Sequence, residues 1–435
     1  MEVIKIDENG IYNPYELDWD ATIEFPSTRT VKQYGNRIYN RYPARSVFLV
    51  PRSIIAEESK KYSSLNILDP FMGSGTTAVE ASLVPNTTIF GTEMDPFARL
   101  IAQVSIQRFT SDELSELDEH YNFILSNWKS TQIDQSLYPS LKNIEYWFDE
   151  NVFQELMQLK SCIYNFDVSE KNLNFFKICF ADCIKPASKM ERQSTKPYIS
   201  SKYKKKPKPV WESFEYSFGK FKEILEDYIK DDKKYRGNIN WLSFDATNFE
   251  IKDVELDLAI TSPPYLNAFD YTHIIKIESA WVGTLVDKDV SMLRSKQVGH
   301  AKRADQEIDI LVYKHFNEFA CKLRESIPNK KMGNERLIQV CLAYFNDMLK
   351  NLKCVHNSLR QGGTYHMIIG DNVINKIEIP THIIIANLAQ EVGFNWKGYY
   401  KYPIKDHRTS VPRGEQGGKI KYEFVLILEK EYDKY

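Results

Sequence analysis

LNILDPFMGSGTTAVEA (65–81) joins an apolar run to a helical pattern through two closely spaced glycines. Its first four residues read as a short buried strand, and a helix begins near Thr76. Between them Asp69 ends the strand, and Gly73 and Gly75 let the backbone approach a ligand where a β-carbon would collide. The first N–H groups of the following helix lack intrahelical partners and face whatever the loop holds. The third glycine of a dinucleotide fingerprint is missing, because the helix continues Thr-Thr-Ala-Val, and no G-K-[ST] follows to bind a triphosphate. A carboxylate at the strand end suits a cationic ligand better than a triphosphate. Taken alone, the loop also reads as an ordinary strand-to-helix turn.

Working outward, 88–92, 254–260, 364–369 and 422–428 read as further strands, with helical patterns at 339–359 and 381–391 between them. Such alternation predicts a parallel, doubly wound α/β sheet, with 422–428 as a central strand. The second strand ends in FGTEMDP (90–96). This puts Glu93 roughly 20 residues past the loop, where an acidic side chain accepts from ribose hydroxyls. Asp95 is the neighbouring alternative, and Glu93 sits nearer the strand end. WLSFDATNF (241–249) supplies another acidic strand end in Asp245, which can accept from an adenine amino group while Phe244 or a neighbour packs on the ring. Acidic strand ends gathered on one sheet edge make a nucleoside-type site.

The 435 residues are 43% hydrophobic and 27% charged, which predicts a packed core. A formal charge of −2 gives no global preference for nucleic acid, so any anion-binding surface must be local. No apolar run approaches the roughly 20 residues of a membrane span. The start, MEVIKIDENG, lacks the basic and apolar regions of a secretion signal. The six cysteines are scattered without C-x-x-C, and Cys179 and Cys183 share an apolar helix face. Buried free thiols in a reducing, cytoplasmic setting are expected. The eight histidines form no H-x-x-x-H, so no metal site is expected.

The alternation breaks over 111–235. A capping box at Thr110 and Glu113 opens one helix, and further helical stretches fall at 151–165, 172–188 and 212–230. A basic run with interleaved aromatics, ERQSTKPYISSKYKKKPKPVW (191–211), lies between the last two. Three parts follow: 1–110 with the glycine loop, a mainly helical insertion at 111–235, and 236–435 with a polar excursion at 286–335.

After the apolar run 258–260 comes TSPPYLN (261–267). DPFMGSGTT together with TSPPY resembles the S-adenosylmethionine-dependent DNA amino-methyltransferases, which act on cytosine N4 or adenine N6. NRYPARSVF (40–48), GTEMDPFA and the stretch from LRQGGTYHMIIGDN (359–372) to the final strand extend the likeness. It covers about 30–110 and 236–435 and leaves most of the helical insertion uncovered. The resemblance implies a Rossmann-like fold with a mixed seven-stranded sheet flanked by helices, and S-adenosylmethionine as cofactor. It implies that Tyr42, Pro43, Ala44, Asp69, Phe71, Gly73, Gly75, Thr76, Thr77, Glu93 and Asp245 bind that cofactor, and that Ser262, Pro263, Pro264 and Tyr265 form the catalytic loop.

The chemistry accounts for that loop. An exocyclic amine is a poor nucleophile because its lone pair is delocalised into the ring. Acceptors aimed at its hydrogens favour a pyramidal nitrogen and stabilise the charge that develops on it. The Ser262 hydroxyl and the Pro263 carbonyl are such acceptors, the Pro-Pro backbone is rigid, and Tyr265 would stack on the base. The base must first leave the duplex stack, and Asn267, Asp270 and Tyr271 would continue the pocket wall. No cysteine sits near this motif, which disfavours C5-cytosine chemistry. Serine at the first motif position is common in N4-cytosine enzymes, whereas Asp or Asn is common in N6-adenine enzymes. Cytosine N4 is therefore expected, with adenine N6 as the alternative.

Double-stranded DNA is the implied partner, together with a cognate restriction endonuclease where one exists. The sequence stops soon after the last strand, so base readout is expected from 111–235, 286–335 or both. Arg192, Lys196, Lys204, Lys205 and Lys206 are the candidate backbone contacts; a solvated loop is the alternative for so Lys-Pro-rich a run. A second basic loop, 405–419, is a further candidate. A tRNA guanine-N2 methyltransferase and a non-catalytic DNA-binding module that kept the cofactor fold are the competing readings.

Overall fold

The computed structural model describes residues 3–43, 45–192, 194–202, 204–233, 237–266, 270–327, 333–404 and 420–432. Ala44, Asn267, Tyr203 and the basic loop 405–419 lie outside these residues.

Eleven strands are present among the described residues: β1 (Val3–Lys5), β2 (Ala21–Glu24), β3 (Leu65–Asp69), β4 (Thr87–Thr92), β5 (Ile239–Ser243), β6 (Leu256–Thr261), β7 (Leu359–Gly370), β8 (Asn372–Ile374), β9 (Ile377–Ile379), β10 (Phe394–Pro403) and β11 (Tyr422–Lys430). The first helices are α1 (Leu49–Glu58), α2 (Thr76–Ala81) and α3 (Pro96–Ile106). Then come α4 (Ser111–Asn127), α5 (Glu150–Tyr164), α6 (Glu170–Ala187) and α7 (Val210–Lys230). The remainder are α8 (Tyr271–Val282), α9 (Asp287–Lys296), α10 (Ile310–Glu325), α11 (Asn334–Ser358) and α12 (Thr381–Val392).

Nine strands form one sheet in the order β1-β2-β10-β11-β7-β6-β3-β4-β5, and β8 and β9 make a separate hairpin. The Rossmann-like α/β architecture holds, with nine strands in place of the expected seven. The extra pair, β1 and β2, are three and four residues long and extend the β10 edge. β1 is three residues, VIK, and exposed throughout, too short a stretch to announce a strand in the sequence. The sheet is mixed because β11 alone runs antiparallel to both its neighbours, β7 and β10.

Alternate residues of each strand feed opposite faces. Ile67, Leu258 and Ile368 join the apolar layer that includes α5–α8, whereas Leu68, Ala259 and Met367 join the layer with α11 and α12. α4 opens with the Thr110–Glu113 capping box, in which the Glu113 N–H donates to Thr110 Oγ1 at 3.2 Å and the Thr110 N–H to Glu113 Oε2 at 2.7 Å. α6 buries Cys179 and Cys183 as free thiols. No helix among the described residues is long and apolar enough to cross a membrane.

Chain order reverses between β3 and β6. β4 and β5 lie to one side and β7 to the other, so the carboxyl ends of β3 and β6 flank a topological switch point where open α/β sheets bind ligands. The segment after α9 closes over this point because Arg303 forks onto the fully buried Asp347 of α11, at 2.5 and 2.6 Å. We expect Arg303→Met to strand that carboxylate and lower the unfolding free energy by about 3 kcal/mol. Gln306 remains as a donor at 3.3 Å, and chemical denaturation of the two proteins reads the difference.

Candidate active site

The carboxyl ends of β3, β4 and β6 and the loop after β5 open into one cleft. Asp69, at the end of β3, is buried. Its Oδ1 accepts from the Phe71 N–H at 3.0 Å and from Thr261 Oγ1, the last residue of β6, at 2.7 Å. Thr77 hydrogen-bonds the same carboxyl. Burial pushes its pKa up to about 6, against the pull of these hydrogen bonds. Asp69 therefore braces the glycine loop against the strand that delivers Ser262, in addition to lining the cleft.

Gly73, with φ +52°, lines the cleft and donates its N–H to Glu93 Oε2 at 2.8 Å. The other Glu93 oxygen accepts from the Asp95 N–H at 2.8 Å. Desolvation pushes the Glu93 carboxyl up to about 7. Asp95 caps α3 by accepting from the N–H groups of Phe97 and Ala98 at 2.8 and 3.1 Å. That commitment leaves Glu93 better placed to meet a ligand. Gly75 does not line the cleft. It sits at φ +84° ahead of α2, where a β-carbon would lie 2.9 Å from Ala102 Cα, so a glycine is needed for α2 to pack on α3. Tyr42, Pro43, Phe71 and Thr76 line the cleft; Thr77 acts from behind, through Asp69.

Asp245 lines the cleft and accepts from the Thr247 N–H and hydroxyl at 2.8 and 2.7 Å, which fixes the loop after β5. Beside it Phe244 is 61% exposed, large for an apolar ring, and one face carries the Arg99 guanidinium 3.6 Å from its centre. Arg99 also donates to the Glu93 and Ser243 carbonyls, tying the β4 end to the β5 end. Arg99 carries no local signature, because its role depends on strand neighbours far apart in the chain.

Ser262 and Pro264 line the cleft; Pro263 and Tyr265 do not. The Tyr265 hydroxyl donates to Glu423, the second residue of β11. Its ring lies so close to Gly370 that a β-carbon there would sit 3.0 Å away. In this arrangement Tyr265 does not present a stacking face to the cleft. Tyr271, the first residue of α8, does line it. Asp270 caps α8 through the His273 N–H at 3.0 Å and pairs with Arg294 at 2.6 Å instead of forming the wall. Lys296, Gln297 and Val298, together with Arg45 and Ser46, complete the lining and were not singled out from the sequence.

Of the basic run, Arg192, Lys196, Lys204 and Lys206 are exposed. Lys205 turns inward and donates to the Lys185 and Ser188 carbonyls at 2.6 and 2.8 Å; burial pushes it down to about 7, with Arg192, Lys185 and Arg41 adding to the effect. Among the described residues no group of His, Cys, Asp and Glu side chains is placed to hold a metal ion.

The donor set fits S-adenosylmethionine: carboxylates at Glu93 and Asp245 for hydroxyl and amino hydrogens, an exposed ring at Phe244, and a left-handed glycine between Tyr42 and Glu93. No family model matches the chain. It is 22% identical to the type II methyltransferase M.MvaI of Kocuria varians over 99% of this chain and 96% of that protein. It is 23% identical to type II methyltransferase M.AvaI of Nostoc sp., over 94% and 88% of the two chains. Type II methyltransferase M.BsoBI of Geobacillus stearothermophilus is also 23% identical, over 84% and 80%. The first of these matches runs through the helical insertion that the motifs leave uncovered.

A carboxyl raised to about 7 is mostly neutral below that pH, whereas hydroxyl donors favour its ionised form. If S-adenosylmethionine binds through Glu93, binding should release a proton and tighten as pH rises from about 6 to about 8. Calorimetric titration across this range should show the trend. Glu93→Gln should flatten it, leaving the smaller contribution of Asp69 near 6.

Proposed function

We propose that the chain is a site-specific DNA methyltransferase that moves the methyl group of S-adenosylmethionine to the exocyclic amine of an extruded base. The observation that carries this reading is the single cleft shared by Gly73 and Glu93 on one side and by Ser262 and Pro264 on the other. Similarity to type II methyltransferases over most of both chains supports it.

The donor supplies an electrophilic methyl group; the residues of the chain position, desolvate and activate. Glu93 accepts from the ribose hydroxyls and Asp245 from the adenine amino group, with Phe244 against the ring. The Ser262 hydroxyl takes a hydrogen of the target amine, which frees its lone pair and stabilises the cationic nitrogen; Pro263 stands behind it, outside the cleft lining, and keeps the turn rigid. Asp69 sets the spacing between these two halves, because one of its oxygens touches both the glycine loop and the end of β6. Most of the rate gain is therefore positioning. Tyr271 supplies the aromatic wall for the base, while Tyr265, held by Glu423, stiffens the turn behind Pro264. None of the described cysteines lines the cleft, in keeping with direct transfer to nitrogen.

Cytosine N4 is the target we favour, on the hydroxyl at Ser262; adenine N6 is the other outcome. Readout of the sequence around the target belongs to the helical insertion at 111–235 and to the 286–335 segment, and a cognate restriction endonuclease is the natural counterpart of such an activity.

Mass spectrometry of nucleosides from methylated duplex DNA tests the assignment: N4-methylcytosine is expected, N6-methyladenine would change the base, and methylation of tRNA alone would overturn the substrate. Ser262→Ala should lower turnover roughly 100-fold while the dissociation constant for S-adenosylmethionine stays unchanged. An unaltered rate would remove Ser262 from the mechanism.

A further inference from the structure

Next to the cleft, cations from successive elements converge. α8 contributes His273 and Lys276, α9 contributes Arg294 and Lys296, and the turn that follows adds His300 and Lys302. Lys296 itself lines the cleft. Arg294 Nε and His300 Nε2 both approach Asp270 Oδ2, at 2.6 and 3.8 Å, which brings α9 and its following turn onto the start of α8. Burial, and then the charges of Lys276, Arg294 and Lys196, push His273 below its ordinary value against the pull of Asp270. Lys196 of the helical insertion is therefore within electrostatic reach of α8. Burial followed by Arg294 acts in the same direction on Lys276, and burial followed by Arg294 and Lys302 acts so on His300.

The carboxylates facing this group are Asp270 and Asp287. Asp270 is already committed to Arg294 and to the α8 cap. Lys196, Lys296 and Lys302 remain exposed. Like charges gathered this closely raise the local potential and favour an anionic partner. A base that enters the cleft draws its own flanking phosphates to the mouth, and Lys296 joins this group to the cleft lining.

We propose that Lys196, Lys276, Lys296 and Lys302 grip the phosphates that flank the extruded nucleotide, so that the helical insertion and the catalytic segment hold one DNA strand jointly. This rests on the DNA reading above. It also moves the principal backbone contact away from the 204–206 lysines, one of which is folded inward.

The test is the affinity of the full chain for a mixed-sequence linear duplex as a function of NaCl concentration. Lys196→Gln, Lys276→Gln and Lys302→Gln should each flatten the plot of log affinity against log salt by about 0.9, and the triple variant should lose the sum. Lys196→Arg and Lys276→Arg should keep the wild-type slope, as should Lys60→Gln on α1. Unchanged slopes in the glutamine variants, with duplex binding intact, would overturn the phosphate grip and leave the methyltransferase reading standing. Flattening by the arginine variants as well would also overturn it, since charge would not be the cause. A wild-type chain without salt-dependent duplex binding would instead sink the DNA reading beneath it.

Discussion

One carboxylate oxygen, Asp69 Oδ1, takes a backbone N–H from the glycine loop and a hydroxyl from the last residue of β6. The two residues it joins across the switch point, Asp69 and Thr261, lie 192 positions apart in sequence, and the contact adds to the β3–β6 pairing just below it, where Leu68 is in register with Ala259. Burying a carboxyl there is expensive, as its raised pKa records. The hydrogen bonds from Thr261, Thr77 and the Phe71 N–H offset part of that cost. Methyl transfer between two bound groups depends steeply on their separation, so a stiff brace at this point matters more than another ligand contact would.

The same reasoning separates what the sequence made legible from what it did not. The glycine loop, its acidic strand end and the Ser-Pro-Pro-Tyr turn are local patterns, each written in fewer than ten consecutive residues, and their strands and helices lie close to where periodicity puts them. Strand pairing is not local. β1 and β2 are three and four residues long, too short for a periodic pattern, and only the pairing of β2 to β10 and of β1 to β2 makes them strands. The direction of Tyr265 depends on Glu423, 158 positions away, and the placement of Lys296 to Val298 depends on Arg303 meeting Asp347. Asp95 and Glu93 look alike in sequence; only the N–H groups at the start of α3 assign one of them to capping.

Charge was the least legible property. A run of lysines between two helices reads as a natural phosphate clamp, yet Lys205 satisfies backbone carbonyls beside the end of α6. The cations grouped around Asp270 and Lys296 come from α8, from α9 with its following turn and from the helical insertion, none of which is basic enough to stand out alone. α9 even opens with Asp287 and Asp289. A net charge near zero is thus compatible with a strongly polarised face, because folding sorts charges by position and not by neighbourhood in the chain.

β11 has a consequence for how the enzyme comes into being. It is inserted between β7 and β10, reversed relative to both, and it carries the glutamate that pins Tyr265. As the nascent chain leaves the ribosome, every other strand of the sheet emerges before this one. Until 422–430 arrive, two long edges stay unpaired in the middle of the molecule and the turn behind Pro264 lacks its anchor. The turn at Pro264 is therefore among the last parts to acquire its shape.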